Sequence, residues 1–196
     1  MNAKKKILSV GLAASLAAVA VVGSSLAYFT DTDAKDNVFT IGNVGIVLTE
    51  PKWDEGGAEE ALDMYPGEAV AKDPTVTNDG KNPAFVRVKV EFPAGINMTY
   101  EAENSYEANT CNEGWVYNED DGYFYYTKVL EAGASTPAVF SRVRLGTDAT
   151  NNTEGAESTI KVTAEAVQAQ GAKPSFAAVQ NMTVEEIAAW FGTCMA

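Results

Sequence analysis

What chemistry this chain could do turns on two cysteines, two acidic clusters and a missing residue type. Cys111 and Cys194 are the only cysteines, and histidine is absent from all 196 residues. Without an imidazole there is no Ser-His-Asp or Cys-His relay, and nothing to activate a thiol as a nucleophile. The usual zinc-protease site needs two histidines on one helical face and is excluded on the same ground. The cysteines could instead join in a disulfide, which stabilises an exported domain by roughly 2–4 kcal/mol. Nothing in the sequence fixes their separation, so a bridge between Cys111 and Cys194 and two separate thiols both stand.

The acidic clusters are Asp31-x-Asp33-x-x-Asp36-Asn37 and Asn118-Glu119-Asp120-Asp121. The first has the rhythm of a calcium loop but lacks glycine at its sixth position and glutamate at its twelfth. The second reads as a turn. Both are taken as solvated loops. No phosphate-cradling glycine loop is present, and no carboxylate pair stands out from the acidic background. The expectation is no catalytic residue, no metal ligand and no cofactor. The formal net charge is -13, and residues 1–27 contribute three lysines and no acid, so the chain beyond Ala27 is more acidic still. Such a surface repels phosphate backbones and argues against nucleic-acid binding.

These groups must be positioned by elements, and the first element is a targeting segment. Lys4, Lys5 and Lys6 form a basic start, residues 7–22 an apolar run, and Ser25 and Ala27 the small residues that a signal peptidase requires. Cleavage after Ala27 makes Tyr28 the new N-terminus. The alternative is a retained anchor, which would be the only membrane attachment. Either way residues 28–196, read as the mature domain, face the outside.

The mature chain is patterned for strands. Val86, Val88, Val90 and Phe92 alternate with Arg87, Lys89 and Glu91, the period of a strand with one wet face. Pro83 suits the start of that strand, and Asn78-Asp79-Gly80 suits the turn before it. Residues 115–130 read as a hairpin, with aromatic strands flanking a turn at 118–122. Tyr123, Phe124, Tyr125 and Tyr126 are expected on alternating faces of one strand. Further strands fall at 37–50, 138–145 and 160–166, where Ile160, Val162, Ala164 and Ala166 alternate with polar residues. The pairs Gly56-Gly57 and Pro66-Gly67 are read as turns. Short strands at regular spacing predict an all-β, two-sheet antiparallel β-sandwich. The tail departs from this: Thr183 and Glu186 form a capping box, and Met182 with Ile187 a hydrophobic staple. A short C-terminal helix is predicted over residues 183–192.

The stretch "AYFTDTDAKDNVFTIGNV" resembles the start of exported proteins of the TasA/camelysin-like family, processed in Gram-positive bacteria by a SipW-type signal peptidase. Ala27, Tyr28, Phe29, Asp31, Phe39, Gly42 and Val44 carry the likeness, and "YPGEAVAKDPTVTNDG" and "AEAVQAQG" extend it. The resemblance implies a jelly-roll-like sandwich, secreted and often built into the fibres of a biofilm matrix or cell surface. It implies that cleavage releases residues 28–39 as a donor strand, with Tyr28, Phe29, Thr30, Asp31, Val38 and Phe39 entering a groove of the next copy head to tail. Camelysin is described as a metalloprotease, an activity the histidine-free sequence does not support. Two other readings stand beside the fibre subunit. One is a monomeric surface module whose 115–126 hairpin holds a glycan or protein; the other is an exported hydrolase.

Overall fold

The computed structural model describes residues 43–149, 159–173 and 175–196, all within one compact unit, Ile41–Ala196. Its strands are β1 (Ile46–Thr49), β2 (Ala69–Ala71), β3 (Thr75–Asn78), β4 (Ala84–Glu91), β5 (Met98–Glu101), β6 (Trp115–Asn118), β7 (Tyr123–Tyr126), β8 (Arg142–Leu145) and β9 (Lys161–Gln168). They form three antiparallel sheets, ordered β6-β7-β4-β9, β2-β8-β5 and β1-β3. The all-β, sandwich-like class is as expected, but the second layer is split into two small sheets.

The alternation around Val88 generates the central strand. Val86 and Val88 of β4, Phe124 of β7, Val70 of β2, Val76 of β3, Tyr100 of β5 and Val143 of β8 meet in the main core. The four-stranded sheet therefore packs on the two smaller sheets, each burying one face. Tyr100 anchors this layer, edge-on to Phe124 at 5.0 Å and tilted against Phe140 at 5.4 Å, in the geometry aromatic rings favour. Burial pushes its hydroxyl pKa up to about 12.

The hairpin is present, with Trp115 opposite Tyr126 and Asn118 opposite Tyr123. Phe124 and Tyr126 enter the main core, while Tyr125 belongs to a second apolar cluster, so the aromatic run does alternate. That second cluster corrects one expectation. The far face of β4 is not simply wet: Phe85, Tyr125 and Val167 are covered there by Ile187 and Phe191. The covering element is a helix at the C-terminus. Short helices α1 (Ala58–Glu60) and α2 (Phe176–Val179) precede it, and α3 (Val184–Cys194) is the long one.

The capping box of α3 forms as predicted. Glu186 N–H donates to Thr183 Oγ1 (3.3 Å), and Thr183 N–H donates to Glu186 Oε2 (3.0 Å). Met182 and Ile187 are both buried in the second cluster, as the staple requires. The helix runs on through Gly192, which keeps a negative φ, to Cys194. Among the described residues no helix is long and apolar enough to cross a membrane.

Gly56 and Gly57 were expected in a turn, yet they lie in a helical stretch. A π-helical turn, Trp53–Gly57, runs into α1 and then a 3₁₀ turn, Ala61–Asp63. Two features explain it. The buried Asp73 carboxylate accepts from the N–H groups of Lys52 (2.9 Å) and Trp53 (3.4 Å), satisfying donors that a helix start leaves orphaned. Gly57 then lies against the Ala71 carbonyl, where a Cβ would collide.

Candidate strand-accepting seam

A sheet edge offers unpaired N–H and C=O groups, and proteins ordinarily cover or blunt them. Most edges here are covered. Beyond β3, Thr136 N–H donates to the Val76 carbonyl (2.9 Å) and Thr136 Oγ1 accepts from Val76 N–H (3.1 Å). The rim of β5 meets the loop after it: Thr110 N–H donates to the Tyr100 carbonyl (3.3 Å) and Thr110 Oγ1 accepts from Ala102 N–H (3.1 Å). Gly57 and its helical stretch lie on β2. On β6, Trp115 N–H donates to the Asn112 carbonyl (3.2 Å), and the Cys111 thiol donates to the Trp115 carbonyl (3.1 Å).

Two edges differ. Among the described residues β1 is laddered only to β3 and β9 only to β4. These two strands approach one another with Cα atoms within 8 Å, yet no ladder joins them. The far end of β9 is tied down, where Trp190 Nε1–H donates to the Gln168 carbonyl at 2.8 Å.

The side chains along this seam carry the same asymmetry. Val86 and Val88 of β4 are wholly buried, but their partners across the ladder, Ala166 and Ala164, are only half-buried. So are Ile160 and Val162, and so are Ile46 and Leu48 on β1. All six pack against the main core, so the core thins out toward the seam. Val47, on the other face of β1, is 44% exposed. An apolar strip beside an open edge can take an extended segment, whose backbone would satisfy that edge and whose alternate side chains would complete the core. Bonding to both edges at once would first require β1 and β9 to part to two strand spacings, roughly 9.5 Å.

The far face of the four-stranded sheet is sealed firmly by contrast. The Arg87 guanidinium lies 3.9 Å from the Tyr123 ring and 4.5 Å from that of Phe191. Its Nε–H donates to Glu165 Oε2 (2.7 Å) and an Nη1 donor reaches the Tyr125 hydroxyl (3.0 Å). Tyr125 O–H in turn donates to Asp121 Oδ2 (2.6 Å); burial first, then this bond, pushes its pKa up to about 12. The acidic hairpin turn is therefore tied into the fold through Asp121.

The residues singled out by sequence fare unequally. Ser25, Ala27, Tyr28, Phe29, Thr30, Asp31, Val38 and Phe39, the cleavage site and donor strand, lie outside the described residues. Cys111 and Cys194 are both free. The disulfide is not formed, because Cys111 packs at the main core beside β6 whereas Cys194 is exposed at the end of α3 on the far face. Burial pushes the Cys111 thiol pKa up, away from reactive thiolate. The hairpin proposed to hold a glycan keeps little free aromatic surface, since Trp115, Phe124, Tyr125 and Tyr126 are buried and Tyr117 alone of its aromatics stands out as exposed. Alternation in the sequence located β9, and the β-branched and apolar residues of 37–50 placed β1 within a longer strand region. That, among the described residues, neither β1 nor β9 would gain a second neighbour depends on long-range pairing and left no local signal, beyond the small Ala164 and Ala166.

The family described as camelysin metallo-endopeptidase has a model that matches residues 2–114, more than half of the chain. A search of curated proteins finds no match. The metal that this description implies can be tested against the donor set. The sequence has no histidine, and its two cysteines stand apart, Cys111 against the main core and Cys194 exposed at the end of α3. Among the described residues no three His, Cys, Asp or Glu side chains are grouped to hold an ion. A protease zinc needs imidazole or thiolate ligands with an open position, and these residues do not fit it. Family membership itself rests on the length of the match: the chain belongs to the camelysin metallo-endopeptidase family.

Proposed function

We propose that the protein is an exported, non-enzymatic structural subunit of a cell surface or extracellular matrix. Each copy gives the segment after Ala27 to the seam between β1 and β9 of the next. The observation that carries this reading is the seam: among the described residues, two edges without a laddered neighbour flank a half-buried apolar strip, while the other edges are covered. An added strand gains backbone hydrogen bonds along β1 or β9 and takes Ile46, Leu48, Val162 and Ala164 out of water. Donor and acceptor are different surfaces, so the contact is head to tail and generates open filaments rather than closed rings. The partner is another copy of this chain, preceded by a signal peptidase that exposes Tyr28. The residue chemistry supports a non-enzymatic role, since the chain has no histidine to serve as base or ligand.

The test is electron microscopy of purified protein beginning at Tyr28, compared with the same protein lacking residues 28–36. Filaments are expected from the first and folded monomers from the second. Filaments that persist without the segment overturn the donor mechanism. Casein turnover that survives purification and disappears with a chelator overturns the non-enzymatic reading.

A further inference from the structure

A hollow of about 370 Å³ opens on the outer face of the three-stranded sheet. Its shape follows from side-chain size. Across the β2–β8 ladder Ala69 faces Arg144 and Ala71 faces Arg142, while Val70 and Val143 point into the core. Two alanines beside two arginines leave a depression. Lys52, at the start of the helical stretch, and the loop residues Glu103, Asn104 and Tyr106 line it with Arg142.

The walls are held in place before any ligand arrives. Arg142 Nη2 donates to the Ser105 carbonyl (2.6 Å), and the guanidinium lies 4.9 Å from the Tyr106 ring. Glu103 N–H donates to Asn112 Oδ1 (2.6 Å), and Thr110 Oγ1–H donates to the Glu107 carbonyl (2.8 Å), closing the loop on itself. Asn104 and Asn109 take left-handed φ values of 58° and 59°, which asparagine tolerates better than most residues. Tyr106, held over Arg142, is nevertheless 82% exposed. Such exposure of a positioned aromatic is expensive in water and useful against a ligand.

The chemistry of the lining selects that ligand. In a chain of net charge -13, this hollow presents an ammonium and a guanidinium. Its one lining carboxylate, Glu103, stands 3.9 Å from Lys52, a loose exposed pair. A broad aromatic face accepts the C–H side of a sugar ring, and Asn104, Ser141 and Glu103 offer donors and acceptors to hydroxyl groups. Arg142 faces the buried Glu101 carboxylate at 2.9 Å, but Arg144 shares that carboxylate, so the two arginines keep one positive charge in excess, and Arg142 with Lys52 answers a carboxylate. We propose that this hollow binds an acidic saccharide, with a ring on Tyr106 and the acid group between Lys52 and Arg142.

Isothermal titration with trigalacturonic acid, and with galactotriose as its neutral counterpart, tests the assignment on the purified full chain. Arg142 also supports Glu101, so the informative variants are Tyr106→Ala and Lys52→Ala, both at exposed side chains. Saturable binding of the acidic sugar is expected, weakened at least tenfold by each variant with the melting temperature unchanged. The neutral sugar is expected to bind at least tenfold less tightly. No saturable binding of trigalacturonic acid, or binding that both variants leave intact, overturns the site; equal affinity for the two sugars overturns the acid requirement.

Discussion

Glu101 shows how one residue organises a face of the protein. It is 1% exposed at the end of β5 and takes two cations from β8. Arg144 donates from Nε to Oε1 (2.5 Å) and from Nη2 to Oε2 (3.1 Å), a bidentate fork, and a further donor reaches the Gly67 carbonyl (2.6 Å). Arg142 Nε lies 2.9 Å from Oε2, near enough for an ion pair though not aligned as a hydrogen bond. The hydrogen bonds from Arg144 outweigh burial and hold the Glu101 carboxyl below its ordinary range. The native state then binds fewer protons than the unfolded chain at mildly acid pH. The stabilisation is therefore present above the unfolded pKa, about 4.3, and fades as pH falls toward the lower native value. Removing the charge leaves two partly covered guanidinium groups without a partner, which costs about 3 kcal/mol in a buried pair. Glu101→Gln is expected to destabilise by about that amount at neutral pH, with the gap to wild type narrowing below about pH 4. Urea unfolding across a pH series measures this, and a gap equal at pH 3 and pH 7 would exclude the ion pair as its source.

At the scale of elements, α3 joins a local signal to a long-range consequence. Its start is a matter of Thr183, Glu186 and the 182–187 staple, all readable in sequence, and Lys173 adds an ion pair to Glu186 at 2.6 Å. Its anchor is Phe191, wholly buried and edge-on to Tyr125 at 5.9 Å. Losing a cap costs about 1 kcal/mol, whereas truncating a buried phenylalanine costs about 3–5 kcal/mol. Denaturant unfolding of Thr183→Ala and Phe191→Ala is expected to rank them in that order; the reverse order would mean that α3 is not packed on the sheet. The same contrast explains what could be read beforehand. β4, the β6–β7 hairpin, β9 and the helix were legible because period-2 alternation and capping are local. The helical stretch at 53–63 was not, because it depends on Asp73, some twenty residues downstream, accepting from Lys52 and Trp53. The helix has a readable apolar face, but which part of the sandwich it covers was not legible: nothing near Phe85 announces that a helix a hundred residues later will pack there. The hollow at Tyr106 was equally silent, since β2, β8 and the loop after β5 come together only in the fold.

At the scale of the whole molecule, the question is which edge receives a partner. Both β1 and β6 end a sheet and both show an exposed valine, Val47 at 44% and Val116 at 42%. They differ in what occupies their outer backbone groups. On β6 the Trp115 amide and carbonyl are already bonded to Asn112 and Cys111. Among the described residues β1 has no such cover, and beside it lies the half-buried strip of β9. A lysine on an edge strand blunts strand addition by bringing a charge that the incoming chain must desolvate. At an exposed site it changes the fold's own stability by no more than about 0.5 kcal/mol. Val47→Lys is therefore expected to leave monomer unfolding unchanged and to slow filament growth at least tenfold, while Val116→Lys leaves growth as in wild type. Light scattering during assembly, with unfolding curves for each monomer, separates the two edges. Inhibition by Val116→Lys alone would move the acceptor to β6, where Cys111 and Asn112 would have to release Trp115 before a strand could add.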